Sequence, residues 1–243
     1  NHLPELKNKT QRDRFKKLQK ELTQLPTVEQ EAVNKGKWAY LKQLYQQEGK
    51  QVLASEGYRS FQDKNREWLQ PYAVFSYLRD QYGTANFREW PKYKISEDEI
   101  ILAFFDSKNP CYNEVSLYCY VQYLLHSQLV ETRAYAHSQK VVLKGDIPIG
   151  ISRNSVEAWK EAYYFHMNGQ AGAPPDAFSV KGQNWGFPTY NWEVMLGGEN
   201  VSKKWRSILM RIVLIIFWAF LESGKFQWML YMAYSVNSLL LSP

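Results

Sequence analysis

The sequence predicts an α/β fold in which long amphipathic helices lead into a short buried strand. Three observations support this prediction: helical periodicity over most of residues 1–138, a change of period at Val141-Val142-Leu143, and polar residues directly after that apolar run. A long helix, then a short strand with polar residues at its carboxyl end, is typical of a parallel barrel or sheet.

The helices are predicted from apolar residues that recur at three- and four-residue steps. This spacing occurs in four stretches, residues 4–24, 28–48, 58–82 and 112–138. Thr27 followed by Gln30 predicts a capping box at the start of the second helix. After the apolar run, the chain enters a loop and then a short helix that Ser152 or Asn154 could cap.

The apolar run predicts a buried strand over 141–146 that delivers the Asp146 carboxylate to a rim. From the residues alone, Asp146 is either a turn residue that caps backbone N–H groups or a carboxylate aimed into a barrel mouth. Asp176 has the same two interpretations, because it follows Pro174-Pro175: it belongs to a rigid turn, or it contacts a ligand from a loop tip.

Residues 168–192 are predicted to form a long loop rich in glycine and proline, and such loops inside a domain are usually functional. Aromatic residues make up 16% of the chain, and Trp185, Tyr190 and Trp192 lie in this loop, where rings find fewer core partners. A flat ring can also cover the apolar face of a sugar. Two classes therefore stay open: a sugar-active enzyme, or a non-catalytic binding module.

Composition excludes several other classes. Hydrophobic residues at 45% and charged residues at 22% are ordinary for a globular protein. The net charge is +6, but the basic residues near the start alternate with Asp13 and Glu21, which indicates a solvated helix face and no nucleic-acid partner. Two cysteines are too few for a disulfide framework, so a cytoplasmic location is expected. The histidines lack metal-ligand spacing, so no metal site is predicted.

Two segments carry a resemblance to a known family: LVETRAYAHSQKVVLKGDIPIGISRNSVEAW (129–159) and AGAPPDAFSVKGQNWGFPTYNW (171–192). They resemble the 4-α-glucanotransferases of glycoside hydrolase family 77, also called amylomaltases or disproportionating enzymes. The order AG-x-PPD-x-FS and then GQ-x-WG-x-P-x-Y-x-W is specific, and SYLRDQYG (76–83) and FREWP (87–91) also fit. The resemblance covers essentially all of residues 1–195.

The resemblance implies a partial (β/α)₈ TIM barrel with a large helical insertion, incomplete at both ends. Residues 1–110 would be the helical insertion of the catalytic domain. Residues 111–195 would be the partial barrel with its substrate-covering loop. Residues 196–243 would be an out-of-frame apolar tail.

The implied activity is cleavage of an α-1,4-glucan with retention, followed by transfer of one part to the 4-hydroxyl of another glucan. By the family pattern, Asp146 contacts substrate near the cleavage point. Asp176 and Phe178 belong to a flexible loop that arches over bound glucan, and Trp185 lies beside that loop in the substrate groove. The resemblance implies maltooligosaccharides as partners and no metal or organic cofactor.

The chain departs from the family pattern in its catalytic residues. The nucleophilic aspartate of the family lies in a Tyr-Arg-Ile-Asp-His stretch that this sequence lacks, and the acid/base glutamate and third carboxylate are also absent. We therefore expect the chain by itself to be inactive. The alternative is a non-catalytic glucan-binding or membrane-associated remnant. A membrane helix would lie around 205–221. Its strictly apolar part, Ile212 to Leu221, is short for a membrane helix, and Arg211 interrupts the wider stretch, so we expect no membrane partner.

The apolar tail has a specific explanation in its codons. Residues Ser207–Ile215 can be written with permitted codons and then translated again in a shifted frame, in which each codon starts at the last base of the previous one. The shifted frame reads Tyr-Phe-Asp-Ala-Tyr-Arg-Ile-Asp, which is the nucleophile region of the family. We therefore predict a frameshift near residue 196. Resequencing the codons of residues 190–243 tests this. The hypothesis fails if the bases confirm the present frame and the neighbouring frame encodes nothing like the nucleophile stretch.

Overall fold

A computed structural model of the chain describes residues 3–143 and 150–196. The described residues form seven α-helices, α1 Lys9–Thr23, α2 Gln30–Leu53, α3 Glu56–Tyr82, α4 Asp98–Phe104, α5 Tyr112–Ser138, α6 Val156–Lys160 and α7 Trp192–Leu196. Short 3₁₀ turns cover Phe87–Glu89 and Ala162–Tyr164. Four two-residue strands follow the helices, β1 Phe165–His166, β2 Gly172–Ala173, β3 Gln183–Asn184 and β4 Thr189–Tyr190.

The predicted helices are present, but two predicted caps are wrong. The α2 helix begins after Glu29 without a side-chain cap, so Thr27 and Gln30 form no capping box. The α6 helix is capped by Ser155, whose side chain accepts a hydrogen bond from the Ala158 N–H, and not by Ser152 or Asn154. The stretch around α6 contains several good capping residues in a row, so sequence alone could not select among them.

The predicted strand at 141–146 is not present in its described part. Residues 141–143 have no strand partner and lie exposed, and residues 144–146, with Asp146, are outside the described residues. Lys140 adopts a positive φ of 60°, and the Val141 N–H donates to the Ala136 carbonyl. The run that was predicted as a strand therefore begins as the C-terminal cap of α5.

The described helices provide no candidate membrane span. Within residues 3–143 and 150–196, none is both long and apolar enough to cross a bilayer. The candidate span at 205–221 lies outside this part of the chain.

Packing divides the described chain into two compact units. The first comprises residues 3–65 and 119–143, and the second comprises residues 66–118 and 150–196. The division falls within α3 and α5, so each of these helices contributes residues to both units.

The first unit is a helical cluster built from α1, α2, the beginning of α3 and most of α5. Leu44 is fully buried, and Tyr120 buries its ring against Tyr45 while its hydroxyl donates to Glu48 at 2.7 Å. Burial raises the pKa of Tyr120 above its ordinary value, and the hydrogen bond to Glu48 adds to this effect. The phenol therefore stays neutral and remains a donor inside the cluster.

The second unit has an aromatic core centred on Trp90. Its ring is fully buried, and its Nε1–H donates to the Thr84 carbonyl at 2.8 Å. Four aromatic rings have centroids within 6.4 Å of the Trp90 ring: those of Phe75, Tyr82, Phe87 and Trp159. Because Trp159 belongs to α6, this core fixes the helix that leads into the strand-containing region.

We predict that Trp90→Ala destabilises the second unit by about 3–5 kcal/mol, because removing a buried indole leaves a cavity and an unpaired carbonyl. The matched control is Leu102→Ala, which trims an exposed apolar side chain of the same unit and should cost about 0.5 kcal/mol or less. Urea unfolding followed by near-ultraviolet circular dichroism measures both. Equal losses for the two variants would contradict a core centred on Trp90.

Candidate functional site: an aromatic hairpin beside a groove

The site is built on a β-hairpin in the second unit. Strands β2 and β3 pair antiparallel, with Gly172 opposite Asn184 and Ala173 opposite Gln183, and residues 174–182 form the loop between them. Two further backbone hydrogen bonds extend the pairing: Trp185 N–H to the Ala171 carbonyl and Ala171 N–H to the Phe187 carbonyl. The region predicted as an irregular loop is therefore partly ordered by backbone pairing.

Two glycines are required for this hairpin to close. A Cβ on Gly172 would lie 2.2 Å from the Gln183 carbonyl oxygen, which no side chain tolerates. Gly182 has a φ of +70°, and a Cβ there would lie 2.7 Å from the Ala173 carbonyl oxygen. Both strands can approach this closely only because neither position has a side chain.

Asp176 organises the hairpin loop through its carboxylate. Oδ1 accepts hydrogen bonds from the backbone N–H groups of Phe178 at 2.9 Å and Ser179 at 2.6 Å, and the Asp176 N–H donates to the Ser179 carbonyl. The Ser179 hydroxyl then donates to the Gly182 carbonyl at 2.7 Å. This geometry is an Asx turn, which is the first of the two interpretations that the sequence left open.

Phe178 projects from the turn that Asp176 holds. Its side chain is 98% exposed, and Val180, two residues further along the loop, is also exposed. Hydration of an exposed phenylalanine ring is unfavourable. Contact with a ligand would remove the ring from water and would therefore be favourable.

Trp185 lies just past the second strand of the hairpin. Its ring is stacked on Phe187, with centroids 5.9 Å apart and planes inclined by 30°. Its Nε1–H donates to the Gln183 side chain at 3.0 Å, which fixes the rotation of the indole. The side chain remains 45% exposed, so one part of this aromatic pair faces solvent.

A groove of about 510 Å³ runs beside this aromatic pair. One wall is Trp185-Gly186-Phe187, and the other is the segment from Gly150 to Asn154. A Cβ on Gly150 would lie 2.1 Å from the Phe187 ring, so the two walls meet where this residue has no side chain. The groove is open to solvent, and its lining combines this aromatic surface with Ser152, Arg153 and Asn154.

Arg153 ties the base of the hairpin together. Its Nε donates to the Gly186 carbonyl at 3.0 Å, its Nη1 donates to the Met167 carbonyl at 2.5 Å, and its Nη2 donates to the Gly169 carbonyl. Neither Arg153 nor Phe187 is among the site residues predicted from the sequence. The partners of Arg153 lie 14 to 33 residues away, and no local pattern indicates contacts at that separation.

The structure places three of the four predicted site residues in one element. Asp176 and Phe178 lie on the hairpin loop, Trp185 lies directly after its second strand, and Asp146 is outside the described residues. In residues 3–143 and 150–196, no three side chains are grouped as metal ligands. Burial raises the pKa of the Cys119 thiol to about 12, so this residue is not a nucleophile at neutral pH.

The fold is similar to that of a solved amylomaltase, from Streptococcus agalactiae in complex with acarbose. The likeness has a TM-score of 0.65 and covers 82% of this chain and 44% of that chain, at 23% sequence identity. At this identity the likeness establishes the fold alone: the protein has a helix-rich α/β architecture of the amylomaltase kind.

The family follows from the sequence comparison. The model of glycoside hydrolase family 77, 4-alpha-glucanotransferase, matches residues 2–212 of this chain. The chain therefore belongs to the 4-α-glucanotransferase family, which confirms the resemblance seen in residues 129–159 and 171–192.

Individual relatives support the same assignment. The chain is 41% identical over 168 residues to the 4-alpha-glucanotransferase DPE2 of Oryza sativa subsp. japonica, a match that covers 69% of this chain and 18% of that protein. It is 36% identical over 194 residues to the 4-alpha-glucanotransferase of Chlamydia pneumoniae, covering 79% of this chain and 36% of the relative. The chain thus spans between about a fifth and about a third of the length of these relatives.

We predict that the Asp176 carboxylate orders the hairpin loop. Asp176→Ala should speed amide exchange of Phe178 and Ser179 about tenfold or more, because hydrogen bonds to a charged acceptor contribute about 1.5–3 kcal/mol each. Asp176→Asn is the matched variant, since it keeps an acceptor oxygen at the same position. Hydrogen exchange by mass spectrometry measures both, and equal exchange in Asp176→Ala and the unaltered chain would contradict the turn.

Proposed function

We propose that this chain is part of a 4-α-glucanotransferase that moves a segment of an α-1,4-glucan to the 4-hydroxyl of an acceptor glucan. The reaction is the retaining double displacement, in which a sugar hydroxyl replaces water in the second step. The hairpin and its groove are the part of that site contributed by the described residues. Membership of the family supports the reaction class.

The observation that carries the proposal is the half-exposed indole of Trp185. It is stacked on Phe187, fixed by a hydrogen bond from its Nε1–H to Gln183, and it lines the groove. A rigid aromatic face beside polar side chains suits a glucan, whose rings have apolar C–H faces and a hydroxyl-rich edge. Little ordering is needed on binding, because the indole is already held in place.

The hairpin loop supplies the second part of the proposal. Phe178 presents its ring to solvent at a turn that Asp176 holds through Oδ1. Contact with a glucan would cover this ring and exclude water from the groove, which favours transfer over hydrolysis. The second carboxylate oxygen of Asp176 is not used by the turn and is left to accept a glucan hydroxyl.

The remaining family features are proposed from the family pattern. Asp146 is the proposed substrate contact near the scissile bond. Residues 1–110 are the proposed helical insertion, residues 111–195 the proposed part of the (β/α)₈ barrel, and residues 196–243 the proposed out-of-frame tail. The fold likeness to an amylomaltase supports a barrel origin.

A cytoplasmic setting is proposed from the cysteines, since Cys111 and Cys119 are both free thiols and thiols persist in reducing compartments. No cofactor is proposed, because the double displacement needs only carboxylates and sugar hydroxyls.

We also propose that the 243 residues bind glucan without transferring it. Retaining cleavage needs a nucleophile and an acid/base carboxylate about 5 Å apart, and no carboxylate of this sequence matches either family position. Oδ1 of Asp176 is used by a backbone turn, and by the family pattern Asp176 matches a substrate contact and not a catalytic position. A non-catalytic glucan-binding chain is therefore the form of the function expected from this sequence.

We predict that Trp185→Ala weakens binding of maltoheptaose at least tenfold, which corresponds to about 1.4 kcal/mol. The matched control is Trp192→Ala, because Trp192 is 49% exposed, close to the 45% of Trp185, and does not line the groove. Isothermal titration calorimetry of the full chain measures both. Equal losses, or no binding by the unaltered chain, would contradict the glucan site.

Incubation with maltotriose separates binding from catalysis in the same preparation. The proposal expects neither glucose nor longer oligomers from the 243-residue chain. Formation of either product would show that the chain carries its own catalytic carboxylates and would overturn the non-catalytic part of the proposal.

A further inference from the structure

Arg153 occupies an unusual place between the core of the second unit and the candidate site. Ile151, two residues before Arg153, is buried, and Ser155, two residues after Arg153, caps α6. The Arg153 side chain is half-buried and forms part of the groove wall. The backbone of Arg153 therefore lies next to the core, while its guanidinium contacts the hairpin.

The guanidinium joins both legs of the hairpin. Met167 and Gly169 come before β2, and Gly186 comes after β3, and Arg153 donates hydrogen bonds to all three carbonyls. These carbonyls lie at the open end of the hairpin, opposite the loop that carries Asp176 and Phe178. Beyond the hairpin base, β1 and β4 pair antiparallel, with Phe165 opposite Tyr190 and His166 opposite Thr189. Arg153 adds a side-chain link between the two legs to this backbone pairing.

The hairpin needs such a connection. Its two strands have only two residues each, and a two-stranded hairpin is marginally stable by itself. The aromatic pair of Trp185 and Phe187 follows directly from β3, on either side of Gly186, whose carbonyl accepts the bond from Arg153 Nε. This bond therefore connects Arg153 directly to the residue between the two rings of the aromatic wall, whose backbone is also paired with Ala171.

Only arginine can make this set of contacts. Its planar guanidinium presents donors on three nitrogens in a fixed geometry, whereas the lysine ammonium is a single point that cannot reach three separated carbonyls. Among residues 3–143 and 150–196, no carboxylate pairs with the guanidinium of Arg153, so an ion pair does not account for its placement.

We infer that Arg153 is the positioning residue of the glucan site: it holds the Trp185–Phe187 wall and the hairpin loop in register with α6 without contacting the reacting atoms. The ligand part of this inference rests on the proposed function. The positioning part concerns the hairpin alone and is measured without any ligand.

The experiment compares Arg153→Ala and Arg153→Lys with the unaltered full-length chain. Arg79→Ala is the control, because Arg79 is an arginine of the same unit that pairs with Asp80 and is remote in sequence from the hairpin. The readouts are hydrogen exchange at the Ala171 and Trp185 amides, whose bonds close the hairpin base, the urea midpoint, and the affinity for maltoheptaose.

Both Arg153 variants should speed exchange at the Ala171 and Trp185 amides at least tenfold and weaken maltoheptaose binding at least tenfold. Arg79→Ala should change neither readout by more than about twofold. The urea midpoint should stay unchanged in the Arg153 variants, because the aromatic core around Trp90 does not include the guanidinium. Arg153→Lys keeps the positive charge but lacks the planar guanidinium. Loss of amide protection in this variant therefore shows that the geometry of the guanidinium is required and that its charge is not sufficient.

Three results would overturn the inference: unchanged exchange in Arg153→Ala, full recovery of protection in Arg153→Lys, or a shifted urea midpoint with faster exchange throughout the unit. A distinct result would overturn only the proposed function. If the unaltered chain binds no maltoheptaose while the Arg153 variants still lose protection at Ala171 and Trp185, the positioning role holds and the glucan site does not.

Discussion

The burial of Trp159 is the contact on which the rest of the candidate site depends. The α6 helix has only five residues, too few to be stable by itself, so its position is set by the packing of Trp159 against Phe75 and Trp90. The Trp159 Nε1–H also donates to the Tyr93 carbonyl at 2.8 Å, so the buried indole N–H has a hydrogen-bond partner. From α6 the chain runs back through Ser155 to Arg153, and the guanidinium of Arg153 carries the constraint to the hairpin.

This arrangement explains how a weakly paired hairpin can present rigid side chains. The hairpin has short strands, two obligatory glycines and an Asx turn, so its internal interactions fix its shape but not its place in the unit. Its place in the unit depends on contacts at its base: the pairing of β1 with β4 and the three hydrogen bonds of Arg153. Trp185 and Phe178 can then combine exposure with a defined position.

The sequence predicted the long helices well, because apolar residues at three- and four-residue spacing lie on one face of a helix, and that face is buried. The α5 helix spans Tyr112–Ser138, the range that the pattern at 112–138 indicated. The same reasoning failed at Val141, since a short apolar run has the same composition in a strand and in the cap of a helix. The structure shows the cap there, with Lys140 in the left-handed region.

For the site, the family resemblance predicted roles for Asp176, Phe178 and Trp185, which stay predictions, and the residues alone left Asp176 ambiguous. The structure shows that its carboxylate forms the turn, while a role in ligand contact stays a proposal. Arg153 could not have been predicted, because its three acceptors are backbone carbonyls and a carbonyl belongs to every residue type. Contacts of that kind are fixed by tertiary structure and are not visible in composition or spacing.

The Trp185 ring in the groove is the proposed glucan-binding surface, and hydroxyl-radical footprinting of the full chain tests this proposal most directly. With maltoheptaose at saturation, we expect oxidation of Trp185 to fall severalfold while oxidation of Trp192, which has a similar exposure, stays constant. Equal oxidation of Trp185 with and without the oligosaccharide would contradict the claim.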